Sequence, residues 1–224
     1  MIEKAVEEKR WQAGRRGKMA EIRNAAITQF CKHGYAGSSL NDVAGIVEIH
    51  KATLYHYFPS KERLLADILD YAHDQLAEIR DEVDKLDVSP IERLQALLKI
   101  QTLWYLENID LARVTFHEWT NVGDDLIEEQ TERRRTYDRF IRSLIKGAKL
   151  DGKIDNDVDI SLAANFITGA INAAPAWFRH DGTYTAEQVA DKFAVMALRM
   201  LGANASAFNI SPVEIRGPHK VAVI

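Results

Sequence analysis

The sequence predicts an all-α protein. Apolar residues recur at helical spacing along most of the chain, and no segment alternates apolar and polar residues for long. Only five prolines and twelve glycines interrupt 224 residues. The expected architecture is an N-terminal three-helix domain followed by a larger C-terminal helical bundle, about nine helices in all.

The elements follow in order. Met19, Ile22, Ala26, Ile27 and Phe30 place a first helix over about Gly17 to His33, and Gly34 suits its left-handed end. Ser38 or Ser39 caps a second, short helix holding Leu40, Val43 and Ala44 inward. A third short helix spans about Lys51 to Tyr57. Pro59 ends it, and Ser60 caps a fourth carrying Leu64, Leu65, Ile68, Leu69 and Leu76. Ser89-Pro90-Ile91-Glu92 opens a fifth helix, with Pro90 at the first helical position and Glu92 able to reach back to the cap. A sixth runs over about Asp110 to Thr120 and a long, charged seventh over about Asp124 to Leu150. The eighth covers about Asp159 to Ala174. The ninth starts at Thr185, where Thr185 and Gln188 form a capping box, and reaches about Leu201. Residues 1–60 form the first domain, with 1–15 a flexible arm, and 61–202 the second. Residues 203–224 mix Gly, Ala, Ser, Asn and Pro without helical period and read as a mobile tail.

Bulk properties narrow the function. Apolar residues make up 46% and charged residues 28% of the chain, as in ordinary globular proteins. No run of apolar residues is long enough for a membrane span, and the charged N-terminus lacks an apolar signal region. The single Cys31 excludes an internal disulfide framework and fits a reducing cytoplasm, with buried filler as its expected role. The net charge of −4 is unevenly spread: residues 1–65 carry +4 and the remainder −8. A basic head on an acidic body suits a protein that touches nucleic acid at one end.

Ser39 to Leu65 sharpens that expectation. Two short helices joined by a tight turn make a poor core, yet one helix fits a DNA major groove about 12 Å wide. Ala52 is small enough to let the third helix approach base edges. Lys51 reaches a base edge or phosphate, while Thr53, Tyr55 and His56 offer hydrogen bonds to phosphates. Ser39 and the first amides of the second helix bind another phosphate, and His50 caps or touches one. Lys61, at the start of the fourth helix, clamps the DNA backbone from the same side. Leu54, Tyr57 and Phe58 face the scaffold.

These residues carry a resemblance. Phe30 to Tyr35 (FCKHGY), Ser38 to Ala44 (SSLNDVA) and Lys51 to Leu65 (KATLYHYFPSKERLL) resemble the DNA-binding domain of the TetR family of one-component repressors. About 50 residues carry the likeness strongly, and the helical remainder matches in architecture. One position departs: the family usually has glycine in the turn between helices 2 and 3, where this chain has Glu48. A glutamate there costs backbone energy in a left-handed conformation and brings negative charge toward DNA.

The resemblance implies a homodimer whose recognition helices enter successive major grooves of a near-palindromic double-stranded operator, about 34–36 Å apart. It also implies a small-molecule effector in the C-terminal domain that favours a DNA-incompetent spacing. Family dimers commonly form through the last two helices, here near 159–174 and 185–201. The first presents Ala163, Ala164, Gly169, Ala170, Ala173 and Ala174, and the second Val189, Phe193, Met196, Ala197 and Met200. Trp104, Phe116, Trp119, Phe166 and Trp177 would line a site for an apolar ligand; the alternative is that they fill a helical core. Ala176 to Gly182, followed by TAEQVADKF, resembles the inter-helix segment of fatty-acid and steroid-catabolism regulators of the family. These respond to acyl-CoA thioesters, which would set Arg179 against a phosphate.

Enzyme signatures are missing. His117-Glu118 lacks the second histidine of a zinc-hydrolase helix, no Gly-rich phosphate loop appears, and Asp155, Asp157 and Asp159 lack the remaining features of a calcium loop. No catalytic residue, metal or cofactor is expected. A helical-bundle enzyme or a non-specific architectural DNA binder is the alternative reading.

Overall fold

The structure, a computed structural model, describes residues 2–203, and side chains from residue 14 onward. Among the described residues there are nine α-helices, one 3-10 turn and no strand: α1 (Ile2–His33), α2 (Leu40–Ile46), α3 (Lys51–Tyr57), α4 (Lys61–Asp84), α5 (Pro90–Glu107), α6 (Ile109–His117), the 3-10 turn Trp119–Asn121, α7 (Asp124–Leu150), α8 (Ile160–Trp177) and α9 (Ala186–Met200). The helix count and most boundaries match the expectation. Helix α1 starts at Ile2, well before Gly17, and so runs through the segment read as an arm. The tail expected after residue 203 lies outside the described residues.

Local signals act as their chemistry predicts. Gly34 takes φ +73° and its N–H donates to the Phe30 carbonyl at 2.9 Å, closing α1. Ser39 caps α2 within a capping box completed by Asp42, whose carboxylate accepts from the Ser39 N–H at 2.8 Å. Glu92 accepts from the Ser89 N–H at 2.9 Å at the start of α5, with Pro90 in its first turn. Thr185 and Gln188 exchange bonds of 3.2 and 3.0 Å at the start of α9. Such caps contribute about 1 kcal/mol each.

One boundary differs for a tertiary reason. Proline at position 175 should end α8, because it cannot donate to the ladder. The helix instead continues to Trp177. Arg113 on α6 donates through Nε and Nη2 to the Pro175 carbonyl at 3.1 and 2.8 Å, satisfying from outside one of the last-turn carbonyls that have no partner within the helix.

One continuous core joins the two domains. Phe30, Ile22, Leu54, Leu64, Leu65 and Leu97 are all fully buried within it. Helix α4 bridges the two halves: it packs on α1 and on α5, α6 and α7. Arg23 on α1 forms a two-point bond with Asp67 on α4, at 2.6 and 3.3 Å, and lies 4.6 Å over the Tyr71 ring. Helices α5 and α7 approach closely where Gly147 faces Pro90; a Cβ at Gly147 would stand 2.8 Å from the proline ring. Helix α9 packs chiefly on α5, leaving one side of α8 and α9 without a cover.

Candidate DNA-reading helix and effector cavity

Helix α3 presents two unlike faces. Leu54 is 0% and Phe58 3% exposed, and both anchor the helix on the core. His50, Lys51, Ala52, Thr53, Tyr55 and His56 all lie in solvent, as does Ser39 at the start of α2. The Lys51 ammonium sits 5.5 Å over the Tyr55 ring, so these two share one patch. Tyr57 is half-buried against the core, as expected of scaffold.

Lys61 departs from the expected clamp. Its Nζ donates to the carbonyls of Tyr35 at 2.8 Å and Ser38 at 3.0 Å, and it lies 4.0 Å over the Tyr35 ring. Committed to these acceptors, Lys61 fixes the α1–α2 connection rather than presenting a free ammonium. The reason is tertiary: the start of α4 packs against the loop before α2, whose carbonyls have no helical partners.

The α2–α3 turn is closed by Glu48 at φ +54°, the one positive-φ residue other than glycine among the described residues. The Glu48 N–H donates to the Gly45 carbonyl at 3.3 Å and the Ile49 N–H to the Ala44 carbonyl at 3.0 Å. This is a Schellman ending with a glutamate where glycine is preferred. The turn keeps its shape and absorbs the strain.

The C-terminal domain carries a half-open cavity of about 340 Å³ among α4, α5, α6, the 3-10 turn, α7 and α8. Phe116 and Trp119, both expected, line it. The other four expected ligand residues do not. Trp104 is buried in the core. Phe166 and Trp177 are 67% and 53% exposed on the uncovered side of α8, because that side of the helix faces away from α5 and α7. Arg179 is in solvent, paired with Asp181 at 3.0 and 3.2 Å.

The polar lining was not anticipated. Thr131, Arg134, Tyr137 and Ile141 fall on one face of α7 at three- and four-residue steps, opposite Gln101 and Tyr105 of α5 and Thr168 and Asn172 of α8. That spacing was the available signal, obscured by the arginine run 133–135. The helical turn sends the three arginines apart. Arg133 meets Asp74 of α4 at 2.8 Å, Arg134 enters the cavity 4.6 Å over the Trp119 ring, and Arg135 remains exposed at the rim. His73 of α4 completes the wall. Burial lowers its pKa to about 4, with Arg134 and Arg133 adding to the effect, so the imidazole is neutral at pH 7. A second cleft of about 400 Å³ between α4 and α7 shares His73, Leu76 and Tyr137 with the cavity.

Cys31 is half-buried, its thiol 3.2 Å from Asp110 Oδ1. Burial, with help from that carboxylate, pushes its pKa up to about 11, which keeps it protonated and unreactive. No group of three metal-binding side chains occurs, and no helix is long and apolar enough to cross a membrane, among the described residues.

A short, two-faced helix held over a packed three-helix head, joined to an all-α domain with a half-open cavity, defines a helix-turn-helix transcriptional regulator. Residues 22–68 match the sequence model of bacterial regulatory proteins of the tetR family, and residues 87–201 match the tetracyclin repressor-like C-terminal domain. The chain therefore belongs to the TetR family and is a DNA-binding transcriptional regulator. It is 27% identical over 190 residues to the HTH-type transcriptional repressor KstR2 of Mycobacterium tuberculosis, covering 82% of this chain and 91% of that one. It is 24% identical over 192 residues to KstR2 of Rhodococcus jostii, covering 83% and 92%. In structure it resembles AibR in complex with isovaleryl coenzyme A and operator DNA, with a TM-score of 0.72, 28% identity and coverage of 78% and 95%. The fold is also that of the ketosteroid transcriptional regulator KstR2 of M. tuberculosis, with a TM-score of 0.76, 22% identity and coverage of 82% and 94%.

Proposed function

We propose that the protein is a homodimeric repressor that holds a palindromic operator through α3 and releases it when a small, largely apolar molecule occupies the C-terminal cavity. The observation that carries this reading is the division of α3, with Leu54 and Phe58 buried and every expected DNA contact on that helix in solvent. Lys51 and Tyr55 supply the principal contacts; His50, Thr53 and His56 supply phosphate bonds; Ala52 leaves room for bases. Ser39 gives both its N–H and its hydroxyl to Asp42, at 2.8 and 2.7 Å, and so caps α2 instead of meeting a phosphate. Lys61 acts indirectly, by fixing the segment that carries Ser39.

The cavity supports the effector half of the reading. Its size falls in the range of small-molecule sites, and its wall mixes aromatics with a few polar groups. The AibR complex with isovaleryl coenzyme A and operator DNA makes an acyl-CoA the first effector class to test. Release requires the ligand to favour the DNA-incompetent state. The dimer is supported by the uncovered apolar side of α8 and α9, where Leu162, Phe166, Trp177, Met196 and Met200 stand in solvent.

The test is a double variant, Lys51→Ala with Tyr55→Ala, assayed by electrophoretic shift against the upstream region of the gene. Both side chains are exposed, so the fold should melt as wild type while operator binding falls at least about 100-fold, given roughly 1–3 kcal/mol for each good contact in each half-site. Retention of the wild-type shift would remove α3 from the DNA.

A further inference from the structure

The effector cavity holds a cation without a counter-charge. Arg134 has no carboxylate within ion-pair distance among the described residues; it lies 4.6 Å over the Trp119 ring, with His73 and Tyr105 also near enough to feel its charge. The acidic groups around it are engaged elsewhere. Asp138, one turn along α7 and also in the lining, pairs with Arg142 at 2.5 Å. Asp70 and Asp74 on α4 and Glu129 on α7 are taken by Arg133, at 3.6, 2.8 and 3.8 Å. His73 is neutral and Arg135 adds positive charge at the rim. Burial works against the Arg134 charge and lowers its pKa, yet the guanidinium stays ionised. An uncompensated cation in a partly dry wall is costly and calls for an anion.

A second feature stands three residues on. The Tyr137 hydroxyl is buried in the same wall without a hydrogen-bond partner, and burial pushes its pKa well above 10, so it keeps its proton to donate. Gln101, 2% exposed on the opposing helix, gives its side-chain nitrogen to the Tyr105 hydroxyl and leaves its oxygen unpartnered; that oxygen accepts, so it calls for a donor on the ligand body and not for an anion. Unmet buried polar groups around one cavity mark where a ligand's polar atoms sit.

Resting on the reading of this cavity as the effector site, we infer that the effector carries a carboxylate on its apolar body, bound by the Arg134 guanidinium and the Tyr137 hydroxyl. A planar carboxylate matches the guanidinium fork. The cavity, near the small end for ligand sites, accepts an acyl-sized body with that group inside it; a nucleotide moiety would lie outside. Two sources share this chemistry: a free carboxylic acid, and a dicarboxylic acid whose other end is a coenzyme A thioester.

The experiment is calorimetric titration of the full chain with two matched pairs, decanoate against decanol and mono-sebacoyl-CoA against decanoyl-CoA, with operator release followed in parallel. In at least one pair the carboxylated member should bind about tenfold or more tighter, the value of a charge-assisted bond. The pair that shows it identifies the source. Arg134→Gln should bring that pair to parity while the uncharged member keeps its affinity, and Tyr137→Phe, a milder change, should reduce the preference in part. Parity in both wild-type pairs, or a preference that survives Arg134→Gln in a folded variant, overturns the inference. If the uncharged members bind and release the operator as well as the acids, the effector reading stands and the carboxylate falls. If no compound binds or affects the operator complex, both fall.

Discussion

Glu48 is the residue at which this chain pays for a local departure from its family. A left-handed backbone costs a non-glycine residue about 1–2 kcal/mol, and here the Schellman bonds of Glu48 and Ile49 hold it in place. Its carboxylate is exposed at the end of α2, near the face that α3 presents. Glu48→Gly is expected to raise unfolding stability by about 1 kcal/mol, a rise of a few degrees in the thermal midpoint. It should also tighten operator binding by removing a negative charge. A lowered midpoint in a thermal melt would mean that the turn draws on the glutamate side chain. Glu48 was recognisable in the sequence because turn chemistry is local. The commitment of Lys61 to two carbonyls was not, because both acceptors lie more than 20 positions away along the chain.

At the scale of elements, α6 and the 3-10 turn link the cavity to the DNA-reading head. Trp119 lines the cavity, and its neighbour Glu118 reaches the other way, accepting the Tyr35 N–H at 3.2 Å in the α1–α2 connection. Asn121 holds the second Glu118 oxygen at 2.9 Å. Arg63 at the start of α4 meets Asp125 at the start of α7 at 2.6 Å, although both are exposed and the pair contributes little. On the proposed effector reading, a ligand that shifted Trp119 would pull through Glu118 on the segment that carries Ser39. Glu118→Ala should leave operator affinity within a few-fold of wild type and blunt effector-induced release, since coupling of this kind amounts to about 1–3 kcal/mol. Anisotropy titrations of labelled operator with and without effector decide it, and full release in the variant would exclude this route. The helices themselves were readable because caps and apolar period are properties of neighbouring residues. The bond that Arg113 gives to the Pro175 carbonyl in the last turn of α8 spans 62 positions.

For the whole molecule, the uncovered side of α8 and α9 is the face on which the proposed dimer would form. Leu162, Phe166, Gly169, Ala170, Ala173 and Trp177 recur at helical steps on α8, and Met196 and Met200 stand beside them on α9. Phe166→Glu with Met196→Glu places charge on that face without touching the core. Sedimentation should show a monomer, and operator affinity should fall by two or more orders of magnitude once the half-sites are bound independently. A variant that still sediments as a dimer would put the interface elsewhere. The same face explains why Phe166 and Trp177 read as ligand residues: composition cannot tell an aromatic aimed inward from one aimed outward.

The sequence by itself determined the all-α class, the helix order, the caps, the two-faced α3 and the unusual glutamate in its turn. Each depends on residues within a few positions of one another, where period, capping chemistry and backbone preference act directly. Tertiary structure decided which aromatics line the cavity, which stand exposed on α8, and which of three consecutive arginines is left without a carboxylate. Those outcomes depend on how each helix is rotated against its neighbours, a property set by packing across the whole core.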